Sequence, residues 1–119
     1  MDKDSAGEVT LRLTARQWAT IDGTIDNVVA VAVVDPDDED TVARGRAIRQ
    51  VGWDQVPWVD GEWPPMKQEI AIRLTRAQWT WTLTQLEDTM PVLRDIGEVE
   101  SERLTRDAIS AVREQLDLG

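Results

Sequence analysis

The chain has 119 residues, a net charge of −10, and neither cysteine nor histidine. This length fits a single domain of residues 1–119, and a hydrophobic share of 41% supplies one modest core. The missing residue types exclude disulfides, thiol nucleophiles and histidine-based catalysis or metal binding, while the negative charge makes nucleic acids and anionic membranes poor partners.

The first residues and the apolar runs of the chain bear on its expected location. Met1 to Gly7 are polar and acidic, unlike a signal peptide. The longest apolar run, Val28 to Val34, is far shorter than the roughly 20 residues that a membrane-spanning helix needs. We therefore expect a cytoplasmic protein that does not bind membranes.

The first predicted elements are a strand and a helix that begins directly behind it. Apolar residues alternate with polar ones over 9–13, which is typical of a strand with one buried face. Thr14 and Gln17 have the spacing of a capping box, and Leu13 and Trp18 have that of a hydrophobic staple. Helical spacing then continues, and the run 28–34 is predicted to be the end of this helix although its β-branched residues also favour a strand.

A second helix is predicted after an acidic turn. Asp40 is the expected N-cap of this helix, and Gly52 is the expected stop just beyond its end. Acidic residues at a helix start interact favourably with the helix dipole. The turn itself is therefore explained by local structure alone.

The acidic turn is also the first candidate site, and its members are Asp35, Asp37, Asp38, Glu39 and Asp40. The spacing resembles the start of a calcium-binding EF-hand loop, but Asp40 stands where the loop needs glycine, and Arg46 where it needs glutamate. No metal site is predicted. The turn is either a solvated helix start or a surface for a basic partner.

The connection 53–68 is the second candidate site, because it holds Trp53, Trp58 and Trp63. These side chains form either a stacking surface for a partner or a lid over the core. The dipeptide Asp60-Gly61 predicts a hairpin turn, across which two of the tryptophans face each other. We expect this hairpin, or a second copy of the chain in a homodimer, to extend the sheet.

The chain after the connection repeats the chain before it. The segment 70–79 (IAIRLTRAQW) matches 9–18 (VTLRLTARQW) at an offset of 61 residues, and Thr75 and Gln78 reproduce the capping box. The second copy predicts a helix that Pro91 interrupts and another that Ser101 caps. The same offset then pairs Ala47 with Ala108, Ile48 with Ile109 and Val51 with Val112.

These elements predict an α+β domain made of two tandem βαα units, residues 8–52 and 69–117, related by a pseudo-twofold axis. Their strands pair as a small antiparallel sheet, and the helices cover one face of it. Arg12 and Arg73 occupy equivalent positions on the polar face. They form either a small anion site or two separate ion pairs with neighbouring carboxylates.

No motif for catalysis, phosphate binding or a cofactor is present, so we expect neither an enzyme nor a bound cofactor. The favoured function is protein interaction or regulation, as an inhibitor, neutraliser or adaptor of a basic partner. The alternative is a small-ligand binding module. Its pocket would lie between the two repeats and be lined by Trp18, Trp79 and Trp81.

Overall fold

The computed structural model describes residues 7–118, and it describes the side chains of 7–116. The described chain is an α+β domain in which each strand is followed by two helices. The first half comprises β1 (Glu8–Thr14), α1 (Ala15–Ala32) and α2 (Glu39–Gln55). The second half comprises β2 (Glu69–Thr75), α3 (Arg76–Asp95) and α4 (Val99–Leu118).

The two strands pair antiparallel, with Leu11 of β1 opposite Ile72 of β2. The alternating large apolar residues of both strands face the helices; Leu11, Leu13, Ile70, Ile72 and Leu74 are buried and Val9 is half-buried. The other face is exposed, so the helices cover one side of the sheet. Within residues 7–118 the sheet has two strands, and the prediction that the hairpin extends it is wrong. The hairpin makes a single bridge, between Val59 and Glu62, away from the sheet.

Each outer edge of the two-stranded sheet is capped by a glutamine side chain. Gln115 of α4 accepts a hydrogen bond from the backbone N of Arg12 and donates one to its carbonyl O, both at 2.8 Å. Gln55, the last residue of α2, makes the same two bonds to Arg73, at 2.7 and 2.8 Å. A side-chain amide thus takes the place of a neighbouring strand. The homodimer expected as another way to extend the sheet stays a prediction.

Both predicted capping boxes are present. Thr14 Oγ1 accepts from the backbone N of Gln17 at 3.1 Å, and the Gln17 side chain accepts from the backbone N of Thr14 at 2.9 Å. Thr75 and Gln78 make the same pair of bonds at 3.0 and 2.9 Å. Each box therefore pairs the backbone N–H groups of the N-cap residue and of the third helical residue where the strand turns into a helix.

The core is centred on Trp18 and Trp79, both fully buried, whose rings meet edge to face with centroids 6.3 Å apart. Gly52 lies in the interior of α2 and packs against the Trp18 indole, where a Cβ atom would overlap Cζ2. The prediction that Gly52 stops the helix is wrong, since α2 continues to Gln55. The glycine is there because the indole needs the space of its missing side chain.

Three other predicted helix boundaries shift. The helix α2 begins at Glu39, with Asp38 rather than Asp40 at the N-cap position, and α4 begins at Val99 rather than after Ser101. The helix α3 runs through Pro91 to Asp95, so the predicted interruption is wrong. A proline close to a helix end removes only one backbone hydrogen bond, and the exposed Pro91 ring does not disturb the core.

The burial patterns of α2 and α4 match at an offset of 60 residues rather than the predicted 61. The buried residues Gly45, Ile48 and Gly52 of α2 are matched by Thr105, Ala108 and Val112 of α4. The cause is the turn between the helices, because α2 begins 24 residues after α1 begins, and α4 begins 23 after α3. The predicted pairing of Ala47 with Ala108 is therefore wrong, since Ala47 is exposed and Ala108 is buried.

Candidate binding site

The acidic turn lies between α1 and α2, and some of its carboxylates are occupied by local bonds. Asp35 Oδ1 accepts from the backbone N of Asp37 at 3.0 Å, and Asp38 Oδ1 accepts from Thr41 Oγ1 at 2.5 Å. Asp40 pairs with Arg44, the residue one helical turn later, at 2.8 Å. In the described part of the chain no group of acidic residues is arranged to hold a metal ion.

Three exposed valines stand next to this turn, at the end of α1. Val31, Val33 and Val34 keep 66%, 53% and 82% of their surface exposed. We call these valines together with the acidic turn the valine–acid surface. The sequence predicts 28–34 as a helix end, although its β-branched residues also favour a strand. The last valines lack helical spacing, and this was the signal that could have indicated their exposure.

The tryptophans of the connection form a ladder of three rings. The ring centroids of Trp53 and Trp58 lie 5.2 Å apart, and those of Trp58 and Trp63 lie 4.7 Å apart across the predicted hairpin. Asp60 and Gly61 at its tip have positive φ, as such a turn requires. Trp58 and Trp63 are half-buried and pack against the core, and Trp58 Nε1 donates to the Trp53 carbonyl at 2.9 Å.

The two sets of predicted partner-binding residues are far apart. The acidic turn ends in the first residues of α2, whereas Trp53 lies in the last turn of this helix. Fourteen residues of helix separate Glu39 from Trp53, which is roughly 20 Å at 1.5 Å per residue. A single small site therefore does not contain both.

Trp53 is held by a buried carboxylate that the sequence analysis missed. Asp22 of α1 is almost fully buried and accepts from Trp53 Nε1 at 2.9 Å and from Arg49 Nε at 3.0 Å. Arg49 also donates to Asp26 at 2.8 Å. The hydrogen bond with Asp22 raises the pKa of the Arg49 guanidinium, so this residue stays charged. The cluster joins α1 to the end of α2.

The two strand arginines lie on the exposed face of the sheet at diagonal positions. Arg12 stands opposite Ala71, and Arg73 stands opposite Thr10. Arg73 Nε lies 2.9 Å from the Glu8 carboxylate. For Arg73, the pairing with a neighbouring carboxylate is thus the arrangement present.

An apolar cleft separates α2 from α3. The helix α4 packs against α1, whereas few residues of α2 and α3 come together. The cleft has a volume of about 280 Å³, and its lining comprises Ala43, Arg44, Ala47, Ile48, Ala77, Gln78 and Trp81. Of the three tryptophans predicted to line a pocket, only Trp81 does so. Trp18 and Trp79 are buried in the core and leave no surface for a ligand.

At the junction of α1 with α4, a hydrogen bond joins two residues whose counterparts at the cleft do not bond. Gln17 Nε2 donates to Asp107 Oδ2 at 3.1 Å across that junction. Gln78 is the equivalent of Gln17, and Ala47 stands 60 residues before Asp107. In the described residues no acceptor meets Gln78 Nε2. Ala47 offers no such acceptor, so the Gln78 amide, which lines the cleft, makes no equivalent of this bond in the described residues.

Among residues 7–118, no helix combines the length and apolar character that crossing a bilayer demands. Comparison of the chain with protein-family models, curated proteins and solved structures found no match. The function is therefore argued from the surfaces of the chain itself.

Proposed function

We propose that this chain is a non-enzymatic, cytoplasmic interaction protein that binds a basic protein partner, as its inhibitor, neutraliser or adaptor. The observation that carries the proposal is the valine–acid surface. Three exposed valines adjoin five acidic residues in a chain whose net charge is −10. Large exposed apolar side chains next to charged ones are typical of interaction surfaces.

The two parts of this surface have different roles in the proposal. Full burial of one exposed valine contributes roughly 1.5–3 kcal/mol to association. The carboxylates attract a basic partner over a distance of about 10 Å at 0.1 M salt and so raise the association rate. The proposed partner surface therefore carries aliphatic residues surrounded by lysine or arginine.

Two carboxylates of the turn are suited to a test that leaves the fold intact. No side-chain hydrogen bond of Asp37 or Glu39 is present in the described residues, whereas Asp35 and Asp38 each accept one and Asp40 forms an ion pair with Arg44. A double variant, Asp37→Asn with Glu39→Gln, removes charge without breaking those bonds. Asp88→Asn with Glu98→Gln is the matched control, since it removes the same charge from exposed positions on α3 and after it.

The experiment is affinity capture from a lysate of the source cells, followed by measurement of association rates with the captured protein. We expect one basic partner to bind the wild-type chain and the control, and to associate about fivefold more slowly with the Asp37/Glu39 variant at low salt. Val34→Ser should raise the dissociation rate, and Val99→Ser, at another exposed valine, should not. An association rate that is the same at low and high salt, and the same for the Asp37/Glu39 variant as for the wild type, contradicts the proposal.

We also propose that the two halves are copies of one βαα unit related by a pseudo-twofold axis. Leu11 is paired with Ile72, which lies 61 residues later, so the sheet register and the sequence repeat share one centre. The two capping boxes and the two glutamine caps support the same proposal. Gln55 and Gln115 bind equivalent arginines, at the offset of 60 residues that relates α2 to α4.

A further inference from the structure

We propose that the cleft between α2 and α3 is a second binding site, for a small apolar molecule that carries a carboxylate. The walls of this site come from α2 and the start of α3, and its Arg44 is ion-paired with Asp40 of the valine–acid surface. The proposal rests on the cleft's shape, on two hydrogen-bond donors at its surface, and on its difference from the corresponding junction of the other half.

The shape limits the size and the chemistry of the ligand. The volume of about 280 Å³ lies just below the range of roughly 300–1,000 Å³ that is common for pockets of drug-sized ligands. Ile48 is almost fully buried, and the alanines and the Trp81 ring supply apolar walls. A medium alkyl chain or a single aromatic ring matches this lining, whereas a nucleotide or an oligosaccharide is too large and too polar.

Gln78 provides the first donor. Its Oε1 accepts from the backbone N of Thr75 at 2.9 Å, which fixes the orientation of the amide. The Nε2 group is consequently turned away from the helix start, as Gln17 Nε2 is in the other half, where it reaches Asp107. A ligand oxygen can take the place of the Asp107 carboxylate that the cleft lacks.

Arg44 provides the second donor, and it also explains the preference for an anion. Its Nε pairs with Asp40 at 2.8 Å, while the remaining guanidinium N–H groups stay available at the cleft. The chain carries few basic groups for its size, with 13 basic and 23 acidic residues. In this acidic chain, the cleft therefore places a cationic side chain next to an amide donor and an apolar wall, and this combination suits a carboxylate.

The difference between the two halves supports binding rather than a defect in packing. The polar residues Arg16, Thr20 and Asp107 occupy the positions that correspond to Ala77, Trp81 and Ala47. At these three positions the junction of α1 with α4 thus carries polar residues, whereas the cleft carries apolar ones.

The test is a titration of the full chain with octanoate, benzoate and the uncharged 1-octanol, followed by calorimetry and by tryptophan fluorescence. Two matched pairs of variants locate the site. Ala47→Leu fills the cleft, and Ala30→Leu makes the same change at an exposed position of α1. Arg44→Gln removes the cation of the cleft, and Arg46→Gln removes a neighbouring one on α2.

We expect at least one carboxylate to bind and to change the fluorescence of Trp81. Ala47→Leu should weaken binding at least tenfold, and Arg44→Gln should weaken binding of the carboxylate about tenfold, the effect of one charged hydrogen bond. Both control variants should bind like the wild type. Binding of 1-octanol as tight as that of octanoate would overturn the carboxylate assignment.

Two further results would overturn the site itself. One is the absence of heat and fluorescence change with every probe at millimolar concentration. The other is a probe that binds Ala47→Leu and the wild type equally. Neither result depends on the valine–acid surface, because the Asp37/Glu39 variant retains the cleft and should bind the same probes unchanged.

Discussion

The side-chain amide of Gln115 pairs with both backbone polar groups of Arg12, with each N–O distance at 2.8 Å. An isolated two-stranded sheet is only marginally stable in water, and its free edges attract other strands. The glutamine supplies one peptide-like partner at the centre of the β1 edge, and Gln55 does so for β2. At Arg12 and Arg73 the edges of the sheet therefore offer no unpaired backbone groups to another strand.

The first prediction concerns these caps. Gln115→Ala should lower the free energy of unfolding by about 1–2 kcal/mol, because two hydrogen bonds are lost at a partly solvated edge. The double variant with Gln55→Ala should also self-associate, which analytical ultracentrifugation would detect. Gln50→Ala, at an exposed position of α2, is the control and should change stability by less than about 0.5 kcal/mol. Equal effects at Gln50 and Gln115 would contradict the capping role.

The second prediction concerns the packing of Gly52 against Trp18. Alanine favours helices by about 1 kcal/mol over glycine. Gly52→Ala should nevertheless lower the free energy of unfolding by about 1–3 kcal/mol, because the added Cβ overlaps the buried indole. Gly23→Ala is the matched control, since open space surrounds this position in α1, and it should raise stability by about 0.5–1 kcal/mol. Denaturant unfolding of both variants gives the comparison.

The third prediction separates the two carboxylates that bind Arg49. Asp22→Asn should lower the free energy of unfolding by about 1–3 kcal/mol, since Asp22 is buried and also accepts from Trp53. Asp26→Asn should cost less than about 1 kcal/mol, because the Asp26 side chain is 63% exposed. A shift of Trp53 fluorescence in the first variant alone would accompany the loss. Similar values for both variants would show that burial does not decide the difference.

The fourth prediction concerns pH. Hydrogen bonds from Arg103 hold the pKa of Glu100, in the first turn of α4, below its ordinary value of 4.5. A lowered folded-state pKa means that the pair stabilises the folded chain fully above pH 4.5. This contribution is lost as the pH falls through the lowered value. A carboxyl NMR titration should show the lowered pKa, and Arg103→Gln should return it toward 4.5, whereas Arg106→Gln should leave it nearly unchanged.

Much of the local structure follows from the sequence, because short-range rules decide it. Alternation over 9–13 indicated β1, and the spacing of Thr14 and Gln17 indicated both the start of α1 and the side chains that cap it. The Asp60-Gly61 dipeptide indicated the hairpin. The boundaries at Gly52 and Pro91 were predicted wrongly, since the effect of a glycine or proline inside a helix depends on what packs against it.

The candidate site was less predictable than the fold. The acidic turn was recognised from its composition, but the exposed valines beside it were not, because exposure depends on which helices cover a residue. The tryptophans at 53, 58 and 63 were grouped correctly as neighbours, while their distance from the acidic turn is set by the length of α2. The length of α2 therefore keeps the acidic turn and the three tryptophans apart.

The sequence by itself determined the charge and the absence of cysteine and histidine chemistry, since composition alone decides both. It also determined the order in which strands turn into helices, since that depends on residues within a few positions of one another. The tertiary structure decided the roles of Gly52, Gln55 and Gln115, and it opened the cleft beside Trp81. These features arise between residues distant in the chain. Their geometry follows from how the helices and strands pack, which no local pattern encodes.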